Sequence, residues 1–170
     1  NRMIQLAESK YNCSQIMMSL ALEAEVHENP GLVRAMSGLG DGCGFFNETC
    51  GVMTSAASVL AWYGGKGSEN EVESEKLLPM LQDLGEWFRQ KTASSYKGTR
   101  CKDIAGDLVG TSAGKQICGA LIFETYNKIK CRFSPIKITL AVSHKCSLGY
   151  KRERRKGSPY NVLRFCQSFI

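Results

Sequence analysis

Apolar residues recur at helical spacing along residues 1–133, and this pattern constrains the fold more than any other feature. Ile16, Leu20 and Ala24 are spaced by four, which places them on one face of a helix. A second stretch carries large apolar side chains at a similar period: Leu77, Leu78, Leu81, Leu84, Trp87 and Phe88. No segment before residue 133 alternates apolar and polar residues as a half-buried strand does. The sequence therefore predicts an all-α fold, a small helical bundle of about five to six helices.

Capping residues mark where several of these helices begin. Asn12 is a good N-cap, and Gln15 three positions later completes a capping-box pattern. Pro30 suits the first turn of a short third helix, because its missing N–H is not needed there. Pro79, in contrast, lies inside the apolar pattern of residues 71–93 and predicts a kink or a break in that helix.

The character of the chain changes after residue 133. Residues 134–170 hold eight Lys or Arg and one Glu, a net charge of +7, whereas residues 1–133 carry −1 of the total of +6. We expect one helical domain at residues 3–133 and a basic tail at 134–170 whose structure is irregular or disordered. Residues 136–142 favour a strand or a disordered apolar segment. A nearly neutral body argues against a nucleic-acid groove within the domain.

Hydropathy excludes a membrane protein of the helical type. The sequence has no run of about 18 apolar residues, which is the length needed to span a bilayer. The first residues lack the continuous apolar segment of a secretory signal. We therefore expect a cytoplasmic protein.

Eight cysteines are a high number for 170 residues: Cys13, Cys43, Cys50, Cys101, Cys118, Cys131, Cys146 and Cys166. Disulfide scaffolds of secreted proteins are usually short and rich in loops. A helical chain with an ample core does not need such crosslinks. Reactive or metal-binding cysteines in a reducing compartment fit the sequence better.

Cys50 has the most suggestive local sequence. It follows a glycine-rich loop, residues 38–44, and precedes an apolar run. Asn47 is an N-cap candidate, which would place Cys50 in the first helical turn, where free N–H groups and the helix dipole favour a thiolate. The sequence predicts Cys50 as a thiol of low pKa. The glycine-rich loop lacks the lysine of a phosphate-binding loop, so its glycines more simply serve tight turns.

The spacing of four cysteines resembles the C_GCAxxG_C_C family, helical bacterial proteins described as redox-active. Cys13 resembles the first family cysteine, and Glu48-Thr49-Cys50-Gly51 with the preceding glycines resembles the central motif. Cys101 and Cys118 resemble the third and fourth cysteines. The resemblance covers roughly residues 3 to 130 and implies a redox function centred on these four side chains.

The chain departs from the family motif at two positions. Val52 stands where the family has alanine, and Ser55 stands where it has glycine. Both residues are larger than their family counterparts, which puts close helix packing at this point in question. Cys43 is an additional cysteine outside the family set.

Several chemistries remain open for the four matched cysteines. Thiol–disulfide exchange would use Cys50 as the low-pKa thiolate, with a resolving partner among Cys13, Cys101, Cys118 and Cys43. An iron–sulfur centre for electron transfer would use Cys13, Cys50, Cys101 and Cys118 as ligands, since four thiolates suit a cluster. Zinc bound by the same four cysteines is a weaker hypothesis, because only His27 and His144 could add histidine ligands.

A non-enzymatic interpretation of the sequence is an alternative to these three chemistries. The chain could be a helical module whose cysteines hold zinc structurally or are simply buried, because cysteine often acts as a small hydrophobe. No Cys-x-x-Cys pair supports a thioredoxin-like site. A redox role implies a partner protein that the sequence does not identify.

Overall fold

Seven helices make up the part of the chain that the computed structural model describes, residues 2–44 and 47–147, with side chains described up to residue 130. They are α1 (Arg2–Glu8), α2 (Cys13–Ala24), α3 (Pro30–Met36), α4 (Gly51–Gly64), α5 (Leu77–Ser95), α6 (Cys101–Ala105) and α7 (Ser112–Ser147). A 3₁₀ turn, Ser37–Leu39, and one further turn, Gly40–Cys43, link α3 to the segment before α4. These ranges contain no strand, so the predicted all-α fold is confirmed, with one helix more than the expected upper number.

Helix α4 is the centre of the bundle. It packs against α2, α5 and α7, and its small and branched residues allow this close approach. Val52, Ala56, Val59 and Leu60 are almost completely buried along it. Burying such side chains supplies the main stabilisation, at about 25 cal/mol for each Å² of apolar surface removed from water.

The predicted starts of α2 and α3 are confirmed. The Asn12 side chain accepts a hydrogen bond from the Gln15 N–H at 3.1 Å, and the Gln15 side chain accepts one from the Asn12 N–H at 3.2 Å. This reciprocal pair is the predicted capping box. Asn29 caps α3 through the Leu32 N–H at 2.9 Å, and Pro30 occupies the first helical position.

The expected kink at Pro79 is wrong. Helix α5 begins at Leu77 rather than near residue 71, so Pro79 lies in its first turn. The N–H groups of a first turn have no partner within the helix, and a proline costs little there. The residues before Leu77 form turns instead.

The strand expected as one alternative at residues 136–142 is also wrong. Helix α7 runs without interruption from Ser112 to Ser147 and includes this segment. Once a helix has formed, each added residue gains a hydrogen bond without a new nucleation cost, which outweighs the strand preference of β-branched residues. The basic run at 151–156 and Cys166 lie outside the described residues, as do the side chains of Cys131 and Cys146. The boundary at residue 133 stays a prediction.

Within the described ranges, every helix is too short or too polar to cross a bilayer. This agrees with the absence of long apolar runs in the sequence.

A candidate cysteine site

Cys13 is placed by the capping box of α2. It is the first residue of the helix, directly after Asn12, as predicted. Its side chain is half-buried, and its thiol lies 4.0 Å from the Ser14 hydroxyl. The backbone N–H of Asp41 also points toward this sulfur and lowers the pKa of Cys13, while burial, the larger effect, raises it. Cys13 therefore has both solvent access and a backbone donor.

Cys50 occupies a position different from the predicted one. Asn47 does not cap the helix: α4 begins at Gly51, and Cys50 is itself the N-cap residue, 3% exposed. The reason is a tertiary contact, because Thr49 pairs with Arg100 as an isolated antiparallel bridge and keeps this segment extended. The Asn47 side chain instead accepts a hydrogen bond from Arg100 at 3.2 Å.

The same bridge positions Cys101. The Cys50 N–H donates to the Thr99 carbonyl at 2.9 Å, and the Cys101 N–H donates to the Glu48 carbonyl at 3.0 Å. Cys101 is the first residue of α6 and is 6% exposed. Two reciprocal backbone hydrogen bonds thus hold the two cysteine-bearing segments side by side.

Cys118 lies in the second turn of α7. Thr111 caps this helix, because its hydroxyl accepts a hydrogen bond from the Gly114 N–H at 3.1 Å. Cys118 is half-buried. Among the four matched cysteines, only this one is remote from a helix start.

The four thiols converge on one region of the protein. The thiols of Cys13, Cys118 and Cys101 each contribute to raising the pKa of Cys50, which shows that they lie near it. Of these three thiols, Cys13 has the largest effect on Cys50, and it also acts on Cys101 and Cys118. Cys13 therefore acts on each of the other three thiols.

Burial sets the protonation of these thiols. It is the main cause that raises the pKa of Cys50 and of Cys118 to about 12 and that of Cys101 to about 11. The prediction that Cys50 has a low pKa is wrong for this structure. The Val52 N–H at the helix start does lower its pKa, but loss of hydration outweighs this donor. All four thiols are protonated at neutral pH.

Gly51 allows Cys13 to lie close to the backbone next to Cys50. A Cβ atom at Gly51 would lie 2.6 Å from the Leu39 carbonyl oxygen, 2.7 Å from the Ser14 hydroxyl and 2.8 Å from the Cys13 sulfur. Only glycine leaves room at this point. The Cys13 sulfur consequently sits against the backbone of the residue next to Cys50.

Two buried serines complete this contact. The Ser14 hydroxyl donates to the Gly51 carbonyl at 3.3 Å, and the Ser55 hydroxyl donates to the same carbonyl at 2.6 Å. Ser55 and Val52, the departures from the family motif, are both fully buried in well-packed positions. The larger residues are therefore accommodated, and Ser55 adds a hydrogen bond that glycine lacks.

A cavity of about 760 Å³ lies beside the thiols. Cys13, Cys101 and Cys118 line it, whereas Cys50 does not and lies behind them in the core. Cys43 does not line it either and is exposed. Three of the four cysteines thus line the cavity, two of them partly exposed and Cys101 buried, whereas Cys50 lies in the core.

Asp41 is a site residue that the sequence reasoning did not identify. It has left-handed backbone angles, φ 53° and ψ 37°, which are uncommon for a residue other than glycine. Its carboxylate lines the cavity and raises the pKa of Cys13, Cys101 and Cys118. The glycine-rich loop signalled an unusual turn here, but its sequence does not reveal that the turn faces the thiols.

Replacing Asp41 with asparagine is expected to speed up alkylation of Cys13. Asparagine tolerates the left-handed conformation, so the change removes the charge and keeps the turn. Loss of this negative charge lowers the pKa of Cys13, so we expect a roughly threefold higher rate with iodoacetamide at pH 7. Peptide mapping by mass spectrometry gives this rate. Asp107→Asn, at an exposed residue with no effect on these thiols, serves as the control, and an equal gain there would refute the assigned role of Asp41.

The four thiols are candidate ligands for a metal centre. Four thiols suit zinc or a cluster by chemical type. Among the described side chains, however, no three of the Cys, His, Asp and Glu groups are arranged closely enough to hold a metal ion. His27 packs against Trp62 with ring centres 5.7 Å apart, and the side chain of His144 is not described. The four thiols lie in one region of the protein but are not arranged as a set of metal ligands.

Comparison with protein families gives one match. Residues 11–131 match the family model described as "Putative redox-active protein (C_GCAxxG_C_C)". The chain belongs to this family. The match includes all four converging cysteines of this C_GCAxxG_C_C protein and ends within α7. Comparisons with curated proteins and with solved structures find no match.

Proposed function

We propose that this C_GCAxxG_C_C protein reduces disulfides by thiol–disulfide exchange, with Cys13 as the attacking thiol and Cys50 as the resolving thiol. One observation carries the proposal: the sulfur of Cys13, a partly buried residue that lines the cavity, lies against Gly51, next to the enclosed Cys50. Exchange requires two sulfurs that can meet, one of them reachable from outside. The contact of Cys13 with Gly51 and the cavity beside Cys13 support these two requirements.

The assignment of Cys13 as the attacking thiol rests on access and on backbone donors. Cys13 lines the cavity, and N–H groups of Asp41 and Ser14 favour its thiolate. Cys50 lacks access to the cavity, and burial raises its pKa to about 12. A disulfide entering from the cavity therefore meets Cys13 first.

The reaction balances over two exchanges. The Cys13 thiolate attacks one sulfur of a substrate disulfide R–S–S–R, forms a Cys13–S–S–R bond and releases RS⁻. The released RS⁻ takes up the proton that the Cys50 thiol loses. The Cys50 sulfur then attacks Cys13, forms the Cys13–Cys50 disulfide and releases the second RS⁻, which takes the proton that Cys13 gave up. Two protein thiols are oxidised, and one substrate disulfide is reduced to two thiols.

The test of this function is a trapping experiment with Cys50→Ser. Without a resolving thiol, the mixed disulfide on Cys13 has no fast route to break down, so mass spectrometry should find it as the stable product. The parent protein should instead yield a Cys13–Cys50 disulfide. Cys43→Ser is the matched control and should behave as the parent does. A Cys13 adduct that persists equally in the parent would contradict the resolving role of Cys50.

The pH dependence of the reaction follows from the direction of the Cys13 shift. Because burial raises the pKa of this thiol, the thiolate fraction at pH 7 is small and increases about tenfold for each unit of pH until the raised pKa is reached. We expect the alkylation rate of Cys13 to keep rising beyond about pH 8.5, where a free cysteine begins to level off. A rate profile against N-acetylcysteine measures this, and a midpoint below that of the free thiol would contradict it.

An iron–sulfur centre is the second candidate, favoured by the convergence of four thiols. Cys13, Cys50, Cys101 and Cys118 would hold it, and it would supply one-electron transfer. N–H groups near Cys13 and Cys50 suit anionic sulfur. Anaerobic purification followed by iron, zinc and sulfide analysis distinguishes the candidates. Stoichiometric iron and sulfide would replace the exchange mechanism, and zinc alone would favour a structural module.

A further inference from the structure

We propose that the cavity beside Cys13 is a binding site for a small, uncharged, mostly apolar disulfide. This inference rests on the proposed function and names its substrate class. The cavity volume of about 760 Å³ lies within the range of small-molecule sites, which are typically about 300 to 1,000 Å³. Its position is also suitable, because three thiols form part of its wall.

The apolar wall comes from three helices. Ile4 and Ala7 of α1, Ile16 of α2 and Ile122 of α7 line the cavity. Ile4 is 52% exposed. An apolar ligand would cover this side chain and gain its burial energy.

The charged residues at the cavity do not select for an ion. Glu8 and Asp41 contribute negative charge, and Lys10 and Lys115 contribute positive charge, so the four formal charges cancel. A dianionic disulfide would also meet the Asp41 carboxylate close to the thiols. An uncharged ligand avoids this repulsion and keeps the benefit of the apolar wall.

Gly119 offers a way to fill the cavity without disturbing the core. It lines the cavity next to Cys118, and a Cβ atom there would have no neighbour within 4 Å. Gly119→Leu should therefore occupy cavity space, and the removal of a helical glycine favours folding. Ala113→Leu is the matched control, because Ala113 is exposed on the same helix and does not line the cavity.

The test separates binding from redox chemistry by using a ligand that cannot be reduced. 1,2-Di(4-pyridyl)ethane has the two pyridine rings of 4,4′-dithiodipyridine but carries two carbon atoms in place of the disulfide. It should slow alkylation of Cys13 by iodoacetamide at least fivefold at saturation in the full chain. Gly119→Leu should abolish this protection, whereas Ala113→Leu should retain it. No protection in the parent, or equal protection in Gly119→Leu, would overturn the cavity proposal.

A second comparison uses reactive disulfides. The rate of Cys13 with neutral 4,4′-dithiodipyridine, relative to N-acetylcysteine, should exceed its relative rate with dianionic 5,5′-dithiobis(2-nitrobenzoate) by at least tenfold. Equal relative rates would overturn the substrate class while leaving exchange chemistry intact. If 1,2-di(4-pyridyl)ethane protects Cys13 from alkylation but no Cys13–Cys50 disulfide forms with any disulfide, the proposed exchange is wrong and the binding-site proposal is supported.

Discussion

Cys13→Ser should lower the rate at which the site reacts with a neutral disulfide by about tenfold. The remaining cavity thiols, Cys101 and Cys118, have pKa values raised to about 11 and about 12. A thiol with a pKa near 11 is thiolate to only roughly one part in 10,000 at pH 7. Stopped-flow kinetics with 4,4′-dithiodipyridine, in a Cys43→Ser background, measures the loss.

Cys118→Ser is the control for this experiment. It removes another cavity thiol but leaves both members of the proposed pair, so the Cys13–Cys50 disulfide should still form. Circular dichroism and the unfolding midpoint should confirm that each serine variant remains folded. A Cys13→Ser protein that reacts as fast as the Cys43→Ser background would remove Cys13 from the mechanism.

Gly51→Ala should reduce the free energy of unfolding by about 1–3 kcal/mol, the usual range for an overpacked site. The added methyl group would meet the Leu39 carbonyl, the Ser14 hydroxyl and the Cys13 sulfur, all within 2.8 Å. Backbone and buried side chains on both sides leave little room for relaxation. Urea denaturation at constant pH provides the measurement.

Gly119→Ala is the matched glycine variant for this comparison. Its new methyl group enters open space, and alanine is the better helix residue, so stability should stay equal or increase by up to about 1 kcal/mol. If both variants lose stability equally, the close contact at Gly51 is not the cause. Slower formation of the Cys13–Cys50 disulfide in Gly51→Ala alone would connect this contact with the site.

The helices were the part of this fold that local sequence could predict. Asn12, Gln15 and Pro30 act within one helical turn, and such short-range rules hold in the structure. The all-α class follows from apolar spacing for the same reason. The start of α4 was misplaced because its position depends on Arg100, which lies far away in the sequence.

The site itself was predictable only as a set of residues. The family resemblance selected the four cysteines, and the structure brings these four together. The prediction of a low pKa for Cys50 was wrong. A helix start can be recognised in the sequence, whereas the burial that raises this pKa depends on how α2, α6 and α7 pack around Cys50. Asp41 and the cavity depend on the same packing, so no local pattern reveals them.

The reciprocal hydrogen bonds between Cys50 and Thr99 and between Cys101 and Glu48 tie two distant stretches of chain into one unit. Helix α6, only five residues long, is too short to persist without this tether. If α6 loosens, Cys101 is released and the segment before Cys50 loses its backbone partner at the same time. Local unfolding and thiol exposure are therefore one event at this site, and hydrogen exchange of the Cys50 and Cys101 amides would report on both.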